Sequence, residues 1–388
     1  VVDDEPDLEL LISQRFRKRI RANELDFIFA ANGAEALEKL SSDGLTEVVL
    51  TDINMPVMDG LTLLSRLHEN HPLLRSVIVS AYGDMANIRT ALNRGAYDFL
   101  TKPIDFQDLE ITLDKTIREA EARKQAAADR EALLTLTKEL DVARRIQESL
   151  VPQKFPPYPE RREFSIYGRM VPATQVGGDL FDFFLLDEHR LVFAIGDVSG
   201  KGVAAAMLMA VSRTLLRSAA MKGMRPHECL HEVNQVLRME RVSSMFVTCF
   251  VAVLDLRSGE LEYSNAAHNP PLLLRADGGV EPTELTGGLV LGQFARASYQ
   301  PKQARLAPGE SILLYTDGVT EAMNPAREQF SDERFTALLG TLRGQSAEQQ
   351  VQAVLEALAD FAQGAAQSDD ITLLNIAYAG AAEGRRDS

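Results

Sequence analysis

Three apolar runs in this sequence lie against carboxylates. LVFAIGDVSGKG (191–202) delivers Asp197, SILLYTDG (311–318) delivers Asp317, and SDDITLL (368–374) sets Asp369 and Asp370 just before a third run. VGGDLFDFF (176–184) adds Asp179 and, three residues on, Asp182, behind two glycines. No His or Cys accompanies these aspartates, so the chemistry they suit is that of hard divalent cations rather than zinc. Two cations about 3.5–4 Å apart can share a carboxylate, lower the pKa of a water and align it for attack on a phosphate ester. Taken singly, an Asp-Gly after a strand is a turn. Four strand-end aspartates brought together would repel one another unless cations compensated them.

A second set lies near the start. Asp3 and Asp4 follow Val1 and Val2, Asp52 ends EVVLTD, Ser80 follows SVIV, and Lys102 precedes Pro103. In open parallel sheets ligands bind beyond the carboxyl ends of the strands. Carboxylates gathered there need a divalent cation and an ammonium group, and Mg²⁺ suits oxygen ligands plus a phosphate. Singly, each of these would cap a helix or a turn.

The elements that must position these groups fall into blocks. Residues 1–104 alternate short β-branched runs (47–53, 76–81, 97–103) with helical stripes such as Leu61, Leu64 and Leu67. That pattern predicts a doubly wound α/β domain with a parallel sheet. Residues 105–150 lack Gly and Pro and space Leu133, Leu136, Leu140 and Ala143 at helical intervals, which predicts one long helix able to pair as a coiled coil with a second chain. VPQKFPPYP (151–159) stops it. Residues 151–380 are rich in strands joined by turns, with helical patterns at 203–221, 226–239, 332–343 and 346–363, and predict an α+β layered sandwich of sheets flanked by helices. Residues 381–388 read as a tail.

With 388 residues, two domains are expected. A hydrophobic content of 45% and a charged content of 25% fit a soluble protein, and no apolar run near the roughly 20 residues of a membrane span is evident. Two cysteines and the absence of a leader pattern predict the cytoplasm. A net charge of −15 argues against DNA as a partner.

VVDDE, TDINMPVMDG, SAYGD and DFLTKP, in that order, resemble the receiver domain of two-component response regulators, and the sequence opens within the first strand of that pattern. The resemblance implies Asp52 as phosphoacceptor, Asp3 and Asp4 with Asp52 and the Asn54 carbonyl around Mg²⁺, Lys102 on the acyl phosphate, and Ser80 with Phe99 as the switch pair. It also implies a sensor histidine kinase or phosphotransfer protein as donor.

VPATQVGGDLFD, AIGDVSGKG, NAAHNPPLLL, GESILLYTDGVTEA and SDDIT resemble the PPM (PP2C-like) serine/threonine phosphatases of the SpoIIE and RsbU type, and ELDVARRIQESLVPQ resembles the segment that precedes that domain. This resemblance implies two Mn²⁺ or Mg²⁺ ions. Asp197 would bridge them, Asp317 and Asp369 would complete one, and Asp179 with the Val198 carbonyl the other, with Asp370 and Asp182 as further candidates. It implies a phosphorylated STAS-domain anti-sigma antagonist as substrate. The receiver also resembles that of RssB-type adaptors, whose implied output is binding of a sigma or anti-sigma factor without turnover; four retained aspartates favour catalysis.

Two other patterns are set aside. HECLH (227–231) fits a zinc-protease motif, but Leu230, Val233 and Leu237 make it an ordinary amphipathic helix. GDVSGKG lacks the spacing of a phosphate loop, and His268, in a turn before two prolines, receives no role.

Overall fold

The computed structural model describes residues 1–81, 84–239 and 245–380; the expected tail at 381–388 lies outside them, as do Tyr82 and Gly83 of SAYGD. The chain divides into two compact units, Val1–Leu136 and the residues from Thr137 on.

In the first unit, helices α1 (Pro6–Arg15), α2 (Arg17–Arg21) and α3 (Gly33–Ser42) precede strand β1 (Val48–Asp52), followed by α4 (Gly60–Asn70), β2 (Arg75–Ala81), α5 (Met85–Asn93) and β3 (Asp98–Lys102). The strands pair in parallel in the order β1-β2-β3. Val2 adds single parallel bridges to Thr51 and to Ala30, so the sheet continues by two one-residue segments on the β1 side. This is the 2-1-3-4-5 order of doubly wound folds. Strands covered on both faces lose the in/out alternation, and Val77, Ile78 and Val79 are all buried. Asn32 caps α3 by accepting the Ala34 and Glu35 N–H groups, and Asp59 caps α4 by accepting that of Thr62.

Helix α6 runs from Phe106 to Leu150, 45 residues. The segment expected as a separate linker at 105–150 is divided between the units. Leu109 and Leu113 are buried in the core of the first unit, whereas Gln147 is buried in the second. Leu133, Leu134 and Leu136 are exposed between them.

The second unit continues with β4 (Phe164–Val171), β5 (Leu180–Leu185), β6 (Arg190–Val198), α7 (Val203–Met221), α8 (Pro226–Met239), β7 (Val247–Asp255), β8 (Glu260–Ala266), β9 (Leu272–Leu274), β10 (Val280–Pro282), β11 (Lys302–Arg305), β12 (Glu310–Tyr315), α9 (Ser331–Thr341), α10 (Ala347–Ala362) and β13 (Ile371–Tyr378). Two antiparallel sheets form, β10-β9-β12-β13-β4 and β11-β8-β7-β6-β5. Their inner faces meet in a core that includes Phe181, Phe193, Phe250, Ile312 and Leu374. Helices α7 and α8 cover the outer face of one sheet, and α9 and α10 that of the other. The expected layered sandwich flanked by helices is what the chain adopts.

Two sequence readings change here. By length and composition α7, with 19 residues, is apolar enough to cross a membrane, which the sequence reading did not notice; its Ala205, Leu208, Met209 and Leu216 pack against the sheet instead. Asp182, a further candidate ligand, is committed elsewhere: both its oxygens lie 2.9 Å from the Arg217 guanidinium, and Arg213 reaches it at 3.2 Å. This cluster of buried Asp182 and two partly exposed arginines joins β5 to α7, with Arg217 stacked 4.4 Å over Phe184. Asp182→Ala leaves two partly exposed cations without their counter-charge, so it is expected to destabilise this unit by about 1–3 kcal/mol, read by urea denaturation. A loss below about 1 kcal/mol would mean that the arginines find other partners.

Candidate functional site

The first constellation assembles at the carboxyl end of the parallel sheet. Asp52 ends β1, buried; its Oδ1 accepts the Ile53 N–H at 2.6 Å and its Oδ2 the Lys102 ammonium at 2.7 Å. Lys102 also reaches Glu5 at 2.9 Å and Asp3 at 3.1 Å. Burial by itself would lower the Lys102 pKa, but the hydrogen bonds to Asp52, Glu5 and Asp3 outweigh it and hold the ammonium above its ordinary value. Asp3 is pushed up by burial, against the Glu5 N–H and Lys102. Oxygens of Asp3, Glu5 and Asp52 lie within 4.8 Å of one another, the one such acidic group among the described residues. Glu5 was missed by the sequence reading, and Asp4, expected beside Asp3, is exposed and outside this trio. Asn54 is exposed next to Asp52. Ser80, near the end of β2, is buried with no hydrogen-bond partner for its hydroxyl among the described residues, and Phe99 stands on β3 with 36% of its surface exposed.

The second constellation draws on both sheets of the sandwich. Asp197 is on β6 and Asp179 directly precedes β5 in one sheet; Asp317 follows β12 and Asp369 precedes β13 in the other. Two threonines fasten Asp179. Asp179 Oδ2 accepts the Thr316 hydroxyl at 2.8 Å and the Thr372 hydroxyl at 2.6 Å, which ties the first sheet's carboxylate to the second sheet's strands. The signal was present in the sequence, as the Thr of YTDG and of DDIT. Gly318 is required by close approach, since a Cβ there would stand 2.0 Å from the Asp370 carbonyl.

Asp370 departs from the expected ligand set. Its Oδ1 accepts the Ala173 N–H at 2.8 Å and its Oδ2 that of Gly178 at 2.6 Å. Both oxygens are thus turned to the backbone ahead of Asp179. Asp369 pairs with Lys201 at 3.3 Å. The Asp179 turn lies on the Val198 carbonyl, 2.8 Å from where a Gly178 Cβ would be.

The electrostatics show which charge this arrangement favours. Burial, then Asp317 and Asp369, push the Asp197 carboxyl up to about 7. Burial and the Asp197 charge raise Asp179 well above the usual carboxylate range. Burial and Asp369 raise Asp317, and burial with Asp317 and Asp369 raises nearby Glu321, which the sequence reading did not single out. Carboxylates that raise one another are a site for positive charge, and an all-oxygen donor set fits Mg²⁺ or Mn²⁺.

His268, given no role from sequence, is buried between the sheets. Its Nε2–H donates to the Tyr315 carbonyl at 3.1 Å, and its Nδ1 is 2.8 Å from the hydroxyl of Thr248, the residue paired with Asp197. Burial lowers its pKa to about 4. The unfolded chain takes up this proton below about pH 6.5 and the folded chain refuses it until about 4, so stability is lost as pH falls through that window, by about 3 kcal/mol in all. The raised carboxylates slope the other way, so the measurement is a comparison by urea denaturation at pH 7 and 4.5. His268→Asn is expected to lose less stability on acidification than the parent; equal losses would refute the assignment.

HECLH lies within α8, where Cys229, Leu230 and Val233 are buried in the core and His231 bonds Gln235 at 2.7 Å, as an amphipathic helix requires.

Comparison with known families matches residues 1–114 to the response regulator receiver domain and residues 187–378 to Stage II sporulation protein E (SpoIIE). Protein IcfG of Synechocystis is 31% identical over 265 residues, 61% of this chain and 41% of that protein. Phosphoserine phosphatase RsbU of Bacillus subtilis is 28% identical over 216 residues, 56% of this chain and 63% of that protein. The chain therefore spans less than two thirds of either relative. Among solved structures, the RsbU and RsbW domains of Rv1364c from Mycobacterium tuberculosis superpose with a TM-score of 0.51 at 32% identity, covering 56% of this chain and 61% of that one. With the parallel sheet around Asp52 and the aspartate-lined sandwich, these matches show a response regulator receiver domain over residues 1–114, followed by a domain that matches the SpoIIE family over residues 187–378.

Proposed function

We propose that the chain is a response regulator whose output is a metal-dependent serine/threonine protein phosphatase. The observation that supports this most is the convergence of Asp179, Asp197, Asp317 and Asp369 from two sheets, with pKa values raised by burial and by one another. Two Mn²⁺ or Mg²⁺ ions would be held by these residues, Asp197 between them, Asp317 and Asp369 on one, Asp179 and the Val198 carbonyl on the other. Such ions supply, when bound, the charge that draws phosphate oxygens and makes water a nucleophile near neutral pH. The chain's part is to hold four carboxylates on rigid strand ends and, through Thr316, Thr372 and Asp370, to stop them from relaxing apart. The net reaction is phosphoserine or phosphothreonine plus water to the free hydroxyl and inorganic phosphate. The substrate class is a phosphorylated STAS-domain anti-sigma antagonist, supported by similarity to RsbU.

In the receiver, an Asp52 oxygen takes the phosphoryl group as the P–N bond of a phosphohistidine on a sensor kinase or phosphotransfer protein breaks. Asp3 and Asp52, with Glu5 or Asp4 and the Asn54 carbonyl, would hold Mg²⁺. Lys102 neutralises the acyl phosphate, and the Ser80 hydroxyl, unpartnered among the described residues, is placed to bond a phosphoryl oxygen, moving with Phe99 as the switch. Exposed Leu133, Leu134 and Leu136 support pairing of α6 with a second copy. The protein would act in the cytoplasm.

The test is phosphate release from a phosphoserine-bearing STAS protein by the full chain in Mn²⁺, with and without beryllofluoride. Turnover that responds to beryllofluoride is expected. Tight binding of the STAS protein without turnover in any condition would show an adaptor instead.

A further inference from the structure

The motif ELDVARRIQESLVPQ marks the end of α6, and one of its residues touches the second constellation's frame. Gln147 is buried. Its Nε2 donates to the Gly177 carbonyl at 2.6 Å and its Oε1 accepts the Gly177 N–H at 3.0 Å, so one side-chain amide satisfies both backbone groups of one residue. The next N–H, that of Gly178, is taken by Asp370, and the next residue is Asp179. Gly177 has no room to move toward Asp370, because a Cβ there would lie 2.4 Å from Asp370 Oδ2. The turn that presents Asp179 is therefore held from two sides: by Asp370 of the sandwich and by Gln147 of the helix. Val151, buried in the core between the sheets, anchors the chain just beyond.

We propose that Gln147 is a positioning residue for the divalent-cation site: it locks the Gly177–Asp179 turn, and its register on α6 sets how well Asp179 is presented. The proposal rests on the phosphatase reading above and adds to it the point at which the helix that begins in the receiver can govern the site. A helix displaced by one residue moves about 1.5 Å along its axis and turns a side chain by about 100°, so the two amide bonds are either both made or both lost. This is a two-state contact. Among the described residues Gln147 alone bonds both the N–H and the carbonyl of Gly177, so its loss leaves two backbone groups to water or to nothing. Partners that orient metal ligands from behind typically matter by about 10-fold to 100-fold in metal affinity.

The test uses the full chain with Gln147→Met, which keeps length and apolar packing and removes both hydrogen bonds, beside Gln147→Glu, which keeps the acceptor and removes the donor. Mn²⁺ binding is followed by electron paramagnetic resonance, with Asp197→Ala showing which part of the isotherm belongs to the phosphatase site, and amide hydrogen exchange is followed over residues 173–179. Gln147→Met is expected to raise the Mn²⁺ concentration for half-saturation of that site by about 10-fold or more, with turnover at saturating Mn²⁺ within about 2-fold of the parent. Exchange at 173–179 should quicken in Gln147→Met and lie between the two in Gln147→Glu. Parent-like Mn²⁺ affinity and exchange in Gln147→Met would overturn the proposal while leaving the phosphatase reading intact. A parent protein whose isotherm is unchanged by Asp197→Ala would overturn the phosphatase reading itself.

Discussion

Asp197→Ala is expected to abolish Mn²⁺-dependent phosphate release, a fall of at least about 1,000-fold, while the folded chain survives. Asp197 is the carboxylate whose neighbours come from both sheets: Asp317 and Asp369 raise it across the sandwich, and it in turn raises Asp179. If Asp197 holds both cations as proposed, its loss removes a ligand from each at once, so additional Mn²⁺ should not rescue it. Removing it also removes repulsion, so the metal-free variant should unfold at a urea concentration no lower than the parent's. The two measurements separate loss of a ligand from loss of the fold. Retention of more than about a tenth of the parent turnover at saturating Mn²⁺ would place the bridging role on another aspartate.

The second large effect is in the receiver. Asp52→Asn is expected to eliminate labelling by a small phosphodonor such as acetyl phosphate, and with it any response of phosphatase rate to phosphorylation, measured by mass change and by phosphate release on the same samples. The reason is local. Asp52 is the carboxylate that ends β1 with one oxygen on the Ile53 N–H and the other on Lys102, so the partly buried ammonium is already in place for the charge an acyl phosphate adds. Asn keeps the shape and the first bond but is no nucleophile. A phosphoryl group still acquired by Asp52→Asn would point to another acceptor. Unchanged phosphatase rate with the parent fully phosphorylated would uncouple the two domains.

Much of the site was legible because its chemistry is written in short contiguous motifs. An apolar run that ends in Asp brings a carboxylate to the end of a strand, and Asp52 and Asp197 therefore identify themselves as strand-end carboxylates. Asp182 and Asp370 show the limit of that reading. Each stands beside the motif that made it a candidate, yet one side chain meets Arg213 and Arg217 and the other meets the N–H groups of Ala173 and Gly178. Which face Asp182 takes on β5 follows from register, and what Asp370 meets ahead of β13 follows from how the Ala173–Gly178 segment packs on it; both are set by distant segments.

The sequence by itself determined the two domains, the apolar strands and helices, the long helix between them and the inventory of hard oxygen ligands, because periodicity and composition are local properties. Tertiary structure decided the partners. It selected Glu5 rather than Asp4 for the trio around Lys102, turned Asp370 from ligand to fastener, set His268 between the sheets, and brought Gln147 to Gly177 across 30 positions of sequence. Those contacts depend on how two sheets and a helix end pack together, and no local pattern encodes the direction in which a buried polar side chain finds the bond it must make.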